Sequence, residues 1–404
     1  MIINGERALA YTAQITDIKP INGADNIELG YVNGWSVIIK KGEFKIGDPC
    51  VFFEIDSKLP ETAQWAAFMS KKNYKVKTMK LNKFGVYSQG LALPYNSFEE
   101  DGIKLPTEIN VDMTDKLGVK YIEQEDNVRK EKVDKVQCYI NANKKKKIFK
   151  NEKVKNFFLT NKFGRKIIEM VINSNKKKRG ERSFPTGRFE GVSKTDQTRC
   201  ENMPWVLEDK TPFIVTQKCD GSSGTFILAR KHFGKFEFYV CSRNVRMLNN
   251  KQDCYYGEHN YYWEVAEKYE IEKKMRRYLA ANPDIKFVCW QGEVCAPAIQ
   301  KNPHKLKETH LFCFHWTDSK NGRMDIRQAK ALWESYGMEV VPIVNENYIM
   351  PDDFEEFKRT ADTYYSPECC EGQTGCKAEG YVYYKTTDPA FSFKNVSREY
   401  LLKH

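Results

Sequence analysis

No two cysteines in this chain stand at the Cys-x-x-Cys spacing, although its 404 residues include twelve cysteines. The densest group, Cys369-Cys370 with Cys376, has no histidine near it. The ligand pattern of a structural zinc site is therefore missing, and free thiols in a reducing compartment are expected. An uninterrupted apolar run of about 18 residues is also absent, so no membrane-spanning helix and no membrane partner are expected. The opening Met1-Ile2-Ile3-Asn4 does not start a signal-peptide pattern, which predicts an intracellular, cytoplasmic protein. No internal repeat is present, and nothing in the pattern implies an oligomer. Surplus positive charge is concentrated in one stretch. The net charge is +11, yet residues 129–182 alone hold 19 Lys/Arg against five Asp/Glu, leaving the rest slightly acidic. Such a block fits a polyanion or a nuclear-import signal, or is simply a solvated face.

What is present suits two or three globular domains, with 41% hydrophobic and 13% aromatic residues. Residues 1–119 read as short strands. Tyr11-Thr12-Ala13-Gln14-Ile15, Trp35-Ser36-Val37-Ile38-Ile39 and Cys50-Val51-Phe52-Phe53-Glu54-Ile55 are separated by turn signals such as Asn33-Gly34. Strands at this spacing predict a small barrel. Basic residues beside aromatics suit an RNA-contacting surface, and the same aromatics equally suit a barrel core. Residues 120–182 form a basic, partly helical connector, in which Lys144–Lys147 and Lys176–Arg179 flank apolar residues at helical spacing. One or two basic helices are expected there. Residues 183–404 return to a compact α+β pattern with candidate functional residues at strand ends.

The focus of that last domain is Phe213-Ile214-Val215-Thr216-Gln217-Lys218-Cys219-Asp220-Gly221-Ser222-Ser223. A β-branched run predicts a buried strand, and Gly-Ser-Ser predicts a tight turn. Lys218 then stands at a rigid strand end. A lysine so placed can act as a covalent nucleophile if its ammonium is made to give up its proton. By itself Lys-x-Asp-Gly is a weak signal, and its neighbours decide the matter.

Further motifs follow in a fixed order: Ser242-Arg243-Asn244, Gly292-Glu293, Phe312-x-Phe314, Glu379-Gly380 and Lys394. This series resembles the nucleotidyltransferase motifs of the covalent ligase superfamily. Gly292 to Gln300 and the Lys194-Thr195-Asp196 segment resemble RNA ligases of the phage double-strand-repair type. Ile21 to Glu28, Gly34-Trp35, Lys41 to Phe44 and Phe53 to Pro60 resemble the OB-like module of the Deinococcus/Naegleria-type RNA ligases. The resemblance spans nearly the whole chain except 120–182.

It implies an OB-like barrel followed by an ATP-grasp-like nucleotidyltransferase domain of antiparallel sheets with flanking helices. It also implies an ATP-dependent RNA ligase that forms lysyl-AMP on Lys218, uses Mg²⁺ or Mn²⁺, and seals 3′-hydroxyl and 5′-phosphate ends. Nicked duplex RNA or RNA/DNA hybrid would be the substrate. By the same resemblance, Lys218, Glu379 and Lys394 are catalytic, and Glu379 and Glu293 hold the metal. Gln217, Asp220, Gly221, Arg243, Glu293, Phe314, Phe312 and Lys194 would bind the nucleotide, with Phe314 as the adenine wall and Gln217 at the base edge. Lys394 near Lys218 would favour the neutral nucleophile.

Two departures stand out. Ser392 occupies a position where a second lysine is common in the family, leaving Lys385 or Lys377 as candidate substitutes. Cys219 places an oxidisable side chain beside the nucleophile. DNA ligases and mRNA-capping guanylyltransferases share the lysine chemistry but carry an OB domain after the last motif. Here ten residues follow Lys394 and the barrel comes first. A catalytically inactive RNA-binding relative is the remaining alternative.

Overall fold

The computed structural model describes residues 1–3, 6–122, 135–143, 146–179, 183–185, 187–247 and 259–403. Near the N-terminus, strand Pro49–Phe53 pairs with Ala10–Gln14 on one side and Leu91–Pro94 on the other. A second three-stranded sheet joins Asp17–Pro20, Ile27–Val32 and Trp35–Lys40. Alternation along Pro49–Phe53 explains why its side chains are all apolar after the proline. Cys50 and Phe52 enter one core with Tyr11, Trp35 and Ile39, whereas Val51 and Phe53 enter another with Trp65 and Phe98. Trp35, Phe44, Phe52 and Phe53 are all buried. They fill the barrel, whereas Phe68 is exposed and Lys80 and Lys83 stand over the half-buried rings of Tyr87 and Phe84.

The connector contains four helical segments, Lys135–Ala142, Lys147–Lys150, Glu152–Thr160 and Lys162–Arg179, where one or two were expected. Two asparagines divide the run. Asn151 Oδ1 accepts from the backbone amides of Lys153 and Val154, and Asn161 Oδ1 from those of Phe163 and Gly164. Both are N-cap arrangements that start a new helix. Val136, Ile140, Phe149 and Ile168 meet in a small core of their own. Lys144 and Lys145 lie outside the described residues.

The C-terminal part holds two five-stranded sheets. One runs Thr198–Arg199, Asp388–Val396, Gly380–Lys385, Phe213–Gln217, Ile343–Tyr348; the other runs Phe236–Cys241, Ser222–Arg230, Phe287–Cys295, His310–Asp318, Gly322–Arg323. Every pairing in them is antiparallel except that of Thr198–Arg199 with Asp388–Val396. Helices Tyr261–Lys268, Ile271–Ala281 and Ile326–Ser335 cover the second sheet over a core that includes Trp290, Trp316 and Trp333. Among the described residues, no helix is long and apolar enough to cross a membrane.

The barrel docks on this domain through the Asn33-Gly34 turn. Asn33 has φ 53°, Gly34 N donates to Glu201 O at 2.8 Å, and a Cβ on Gly34 would lie 2.5 Å from Phe354. Beside it, Asn202 Oδ1 accepts from Trp35 Nε1 at 2.7 Å while Asn202 Nδ2 donates to Glu54 at 2.8 Å. The turn that ends one hairpin is thus also an attachment point.

Candidate active site

Strand Phe213–Gln217 belongs to the first sheet and Ser222–Arg230 to the second, so Lys218-Cys219-Asp220-Gly221 crosses between them. Gly221 is required at this crossing, because a Cβ there would stand 2.4 Å from Val294 O and 3.0 Å from Glu293 Cγ. A cavity of about 310 Å³ opens at the same point, at the lower end of the range small-molecule sites occupy. Lys218, Asp220, Glu293, Phe314, Glu379 and Lys394 all line it.

Lys218 Nζ forms a 2.7 Å ion pair with Glu379 Oε2. Burial acts to lower the Lys218 pKa, but the carboxylates of Glu379, Glu293 and Asp220 outweigh it and the net shift is upward. Lys394 takes the opposite course. Burial, Arg199 and Lys218 bring it down to about 7. The expectation that Lys394 keeps the nucleophile neutral is thus not met by this arrangement, because three acidic groups outweigh one lysine. Burial and Glu379 push Asp220 up to about 7, and its carboxylate is hydrogen-bonded by the Tyr400 hydroxyl. Burial, Glu379 and Asp220 raise Glu293 to about 8 against the pull of Lys218.

Asp220, Glu293 and Glu379 therefore crowd carboxyl oxygens into one cavity, where the first two resist ionisation. Hard divalent cations prefer such oxygen donors, and the chemistry of this set fits Mg²⁺ or Mn²⁺ at Glu379 and Glu293. As they stand, with Glu379 paired to Lys218, the described residues include no group of three His, Cys, Asp or Glu side chains gathered to hold a metal directly.

The other expected residues divide. Arg243 lines the cavity, held by Asp196 at 2.7 Å. Phe314 lines it whereas Phe312 does not; Phe312 is buried and stacks on His310. A shared strand face would have sent both the same way. However, Gln291 pairs with His315 and Gly292 with Cys313, so Phe314 is the extra residue of a β-bulge, a feature that re-aims a side chain. Lys194 is exposed and lies outside the lining, which takes Thr195, Asp196 and Gln197 instead.

Gln217 also lines the cavity, with its carboxamide engaged by a neighbouring loop. Its Nε2 donates to Tyr364 O at 2.8 Å and its Oε1 accepts from Ser366 N at 2.7 Å. The carboxamide fixes that loop.

That loop carries a residue the sequence did not single out. Tyr365 is buried, and its hydroxyl donates to Lys218 O at 3.2 Å. The same oxygen accepts from Asp220 N at 3.1 Å and from Glu379 N at 3.2 Å. One phenol thereby fixes the backbone of three cavity residues. His304 stacks on it at 4.0 Å and its Nε2 accepts from Asp220 N. Burial holds the His304 pKa down to about 4, so the ring is neutral and able to accept. No local motif marks Tyr365, His304 or Tyr400. Each reaches the site only through long-range folding.

The two departures resolve in different ways. Lys385 pairs with Asp209 and Lys377 approaches Glu399, and neither lines the cavity. The cation beside Lys394 is Arg199, its partner on the adjacent parallel strand. Cys219 is buried with its Sγ 3.6 Å from Cys369 Sγ, and this contact and burial raise its pKa well above the usual thiol value. It stays protonated, the unreactive form.

A lysine at the junction of the two sheets thus faces carboxylates and a second lysine across one cavity. Residues 211–399 match the RNA ligase family, and residues 9–95 match an OB-fold domain. The OB-fold match thus precedes the RNA ligase match along the chain.

Over its full length the chain is similar to the RNA ligase of Naegleria gruberi. A structure of that enzyme with pyrophosphate is 26% identical with a TM-score of 0.71, covering 99% of each chain. A point mutant with ATP and manganese gives 26% and 0.71 over 98% of this chain and 99% of that one. Another mutant without ligand gives 26% and 0.70 over 98% of both. Comparison with the sequences of curated proteins finds no match.

Proposed function

We propose that this protein is an ATP-dependent RNA ligase that joins 3′-hydroxyl and 5′-phosphate ends, acting on nicked duplex RNA or RNA/DNA hybrid. The observation that carries this reading is the convergence of Lys218, Glu379, Glu293 and Lys394 on one cavity within a domain that matches RNA ligases. The similar Naegleria structures hold ATP, AMP, manganese or pyrophosphate, which supports the nucleotide and a divalent cation as cofactors here.

The chain's own residues suggest the following course. ATP enters with its adenine against Phe314 and its α-phosphate beside Lys394. The Lys218 amine, after losing its proton, attacks the α-phosphorus; an N–P bond forms and pyrophosphate leaves. The 5′-phosphate of the RNA then displaces Lys218 and takes the AMP. Finally the adjacent 3′-hydroxyl attacks that phosphate and AMP departs. Each step is displacement at phosphorus, so alignment and charge neutralisation dominate catalysis. A divalent cation held by Glu379 and Glu293 would supply part of that neutralisation. Arg243, clamped by Asp196, would contact the nucleotide.

Sealing tests the reading. Duplexes with a single nick, made as all-RNA, RNA/DNA hybrid or all-DNA, carry a labelled 5′-phosphate, and conversion to the longer strand is followed with ATP. Sealing wherever the 3′-hydroxyl side is RNA supports the proposal. Sealing of all-DNA nicks alone would replace it with a DNA ligase, and no sealing of any nick would favour an RNA-binding relative.

A further inference from the structure

Outside the cavity, the strongest concentration of unused chemistry lies in the helical connector. Residues 146–172 hold eight Lys/Arg against two acidic residues, while the chain outside 129–182 is slightly acidic. Lys150, Lys153, Lys162 and Lys166 are exposed. None of the four has an ion-pair partner among the described residues, in contrast to Lys155, which is tied to Glu152.

The helix Lys162–Arg179 turns two different faces outward and inward. Ile168 and Ile172 point into the small core with Val136, Ile140 and Phe149. On the opposite side, Phe163, Lys166 and Met170 share one stripe by the i, i+3, i+7 spacing. Phe163 is 68% exposed and Met170 57% exposed, although burial would suit both side chains better. Phe157, 41% exposed, lies in the preceding helix. Lysine heads alternating with uncovered aromatic surface suit a polyanion that also presents flat apolar faces. RNA offers this as phosphates beside bases and ribose. An anionic lipid surface would also accept a basic amphipathic helix. RNA is favoured because the adjoining domain matches RNA ligases.

We propose that the helical segments between residues 146 and 172 form an RNA-holding surface of this protein. Lys150, Lys153, Lys162 and Lys166 bind phosphates of the RNA flanking the end to be joined, and Phe163 packs on a base or ribose. The proposal rests on the RNA ligase reading but concerns a separate part of the molecule.

The test uses the full chain with all four lysines changed to glutamine, and a companion with the same four changed to arginine. Fluorescence anisotropy with a nicked RNA duplex measures affinity across a salt series, alongside enzyme-AMP formation and circular dichroism. The glutamine variant is expected to bind RNA at least roughly tenfold more weakly, with a salt slope shallower by about 0.9 for each phosphate that is no longer neutralised. Enzyme-AMP formation and helicity should be unchanged, and the arginine variant should bind like the parent. Phe163→Ala should weaken binding by roughly fivefold or more without changing the salt slope. Undiminished RNA binding by the glutamine variant would overturn the proposal. So would loss of binding only to vesicles of phosphatidylserine and phosphatidylcholine, which would assign the surface to lipid. If the lysines hold RNA but the parent forms no enzyme-AMP, the ligase reading fails and the RNA surface stands.

Discussion

Lys218 Nζ and Glu379 Oε2 lie 2.7 Å apart, joining the strand end that bears the candidate nucleophile to the glutamate expected to hold the metal. The pair shows what the site must undergo before chemistry. A carboxylate that stabilises the ammonium also prevents attack, so the lysine is held ready but charged until the cavity's balance of charge changes. Lys394 stands on the other side of that balance, brought down to about 7 by burial, Arg199 and Lys218.

Lys394 gives a pH prediction. Its pKa is depressed, so the charged form dominates below about 7 and is lost above it. A phosphate ligand that needs this cation should bind progressively more weakly as pH rises from about 7.5 to 9, because removing a cation weakens its attraction to phosphate. Lys394→Arg keeps its charge throughout and should show a flatter profile. Titration calorimetry with AMP across this range checks the expectation; an identical slope in both proteins would contradict it.

Tyr365 is predicted to act as a positioning residue. Tyr365→Phe keeps the ring stacked on His304 but leaves Glu379 N without the hydroxyl it donates to, and frees Lys218 O. Losing a buried partner costs about 1–3 kcal/mol. If that cost falls on the aligned state, the adenylylation rate drops about tenfold to hundredfold while the ATP concentration for half-maximal rate changes little. Single-turnover kinetics over an ATP series separates the two. A variant with unchanged rate, or one altered only in ATP affinity, would contradict the role.

Glu201 and Lys358 form a fully buried ion pair, 2.7 Å long, in which Lys358 also donates to Asn395 Oδ1 and Val396 O. Asn395 follows Lys394, and Glu201 O receives Gly34 of the barrel. Burial pushes the Glu201 pKa up, but Lys358 and Arg199 more than reverse this and hold it at about 2. A depressed carboxyl adds stability above its unfolded pKa, and that stability is lost as pH falls through the folded value. The melting temperature should therefore fall between about pH 4.5 and 2, and less steeply in Glu201→Gln. Lys358→Met alone should cost about 3–5 kcal/mol, because it strands a buried charge. Thermal melts of the three proteins across pH decide this.

How far the sequence reaches depends on how local each feature is. The strand before Lys218, the barrel strands and the order of motifs are legible, since two-residue alternation and turn residues act over short spans. Phe314 is distinguished from Phe312 only by the bulge, which depends on pairing with a strand some twenty residues away. Gln217 reads as a base contact because its loop partners, Tyr364 and Ser366, are nearly 150 residues downstream. The same distance hides Tyr365. The cation that accompanies Lys394 is not near Ser392 in sequence, because Arg199 reaches Lys394 through a parallel strand pair. The basic connector is recognisable by charge, but two of the three breaks that divide it into four helices depend on asparagine caps.

The central claim is that Lys218 becomes covalently adenylylated. Purified protein is incubated with α-labelled ATP and Mg²⁺, then run on a denaturing gel beside Lys218→Ala and a parallel reaction with labelled GTP. Label is expected on the protein from ATP alone and none on the variant, with RNA binding by the variant close to that of the parent. Label from GTP alone would point to capping chemistry, and label persisting on Lys218→Ala, or no label at all, would contradict the account.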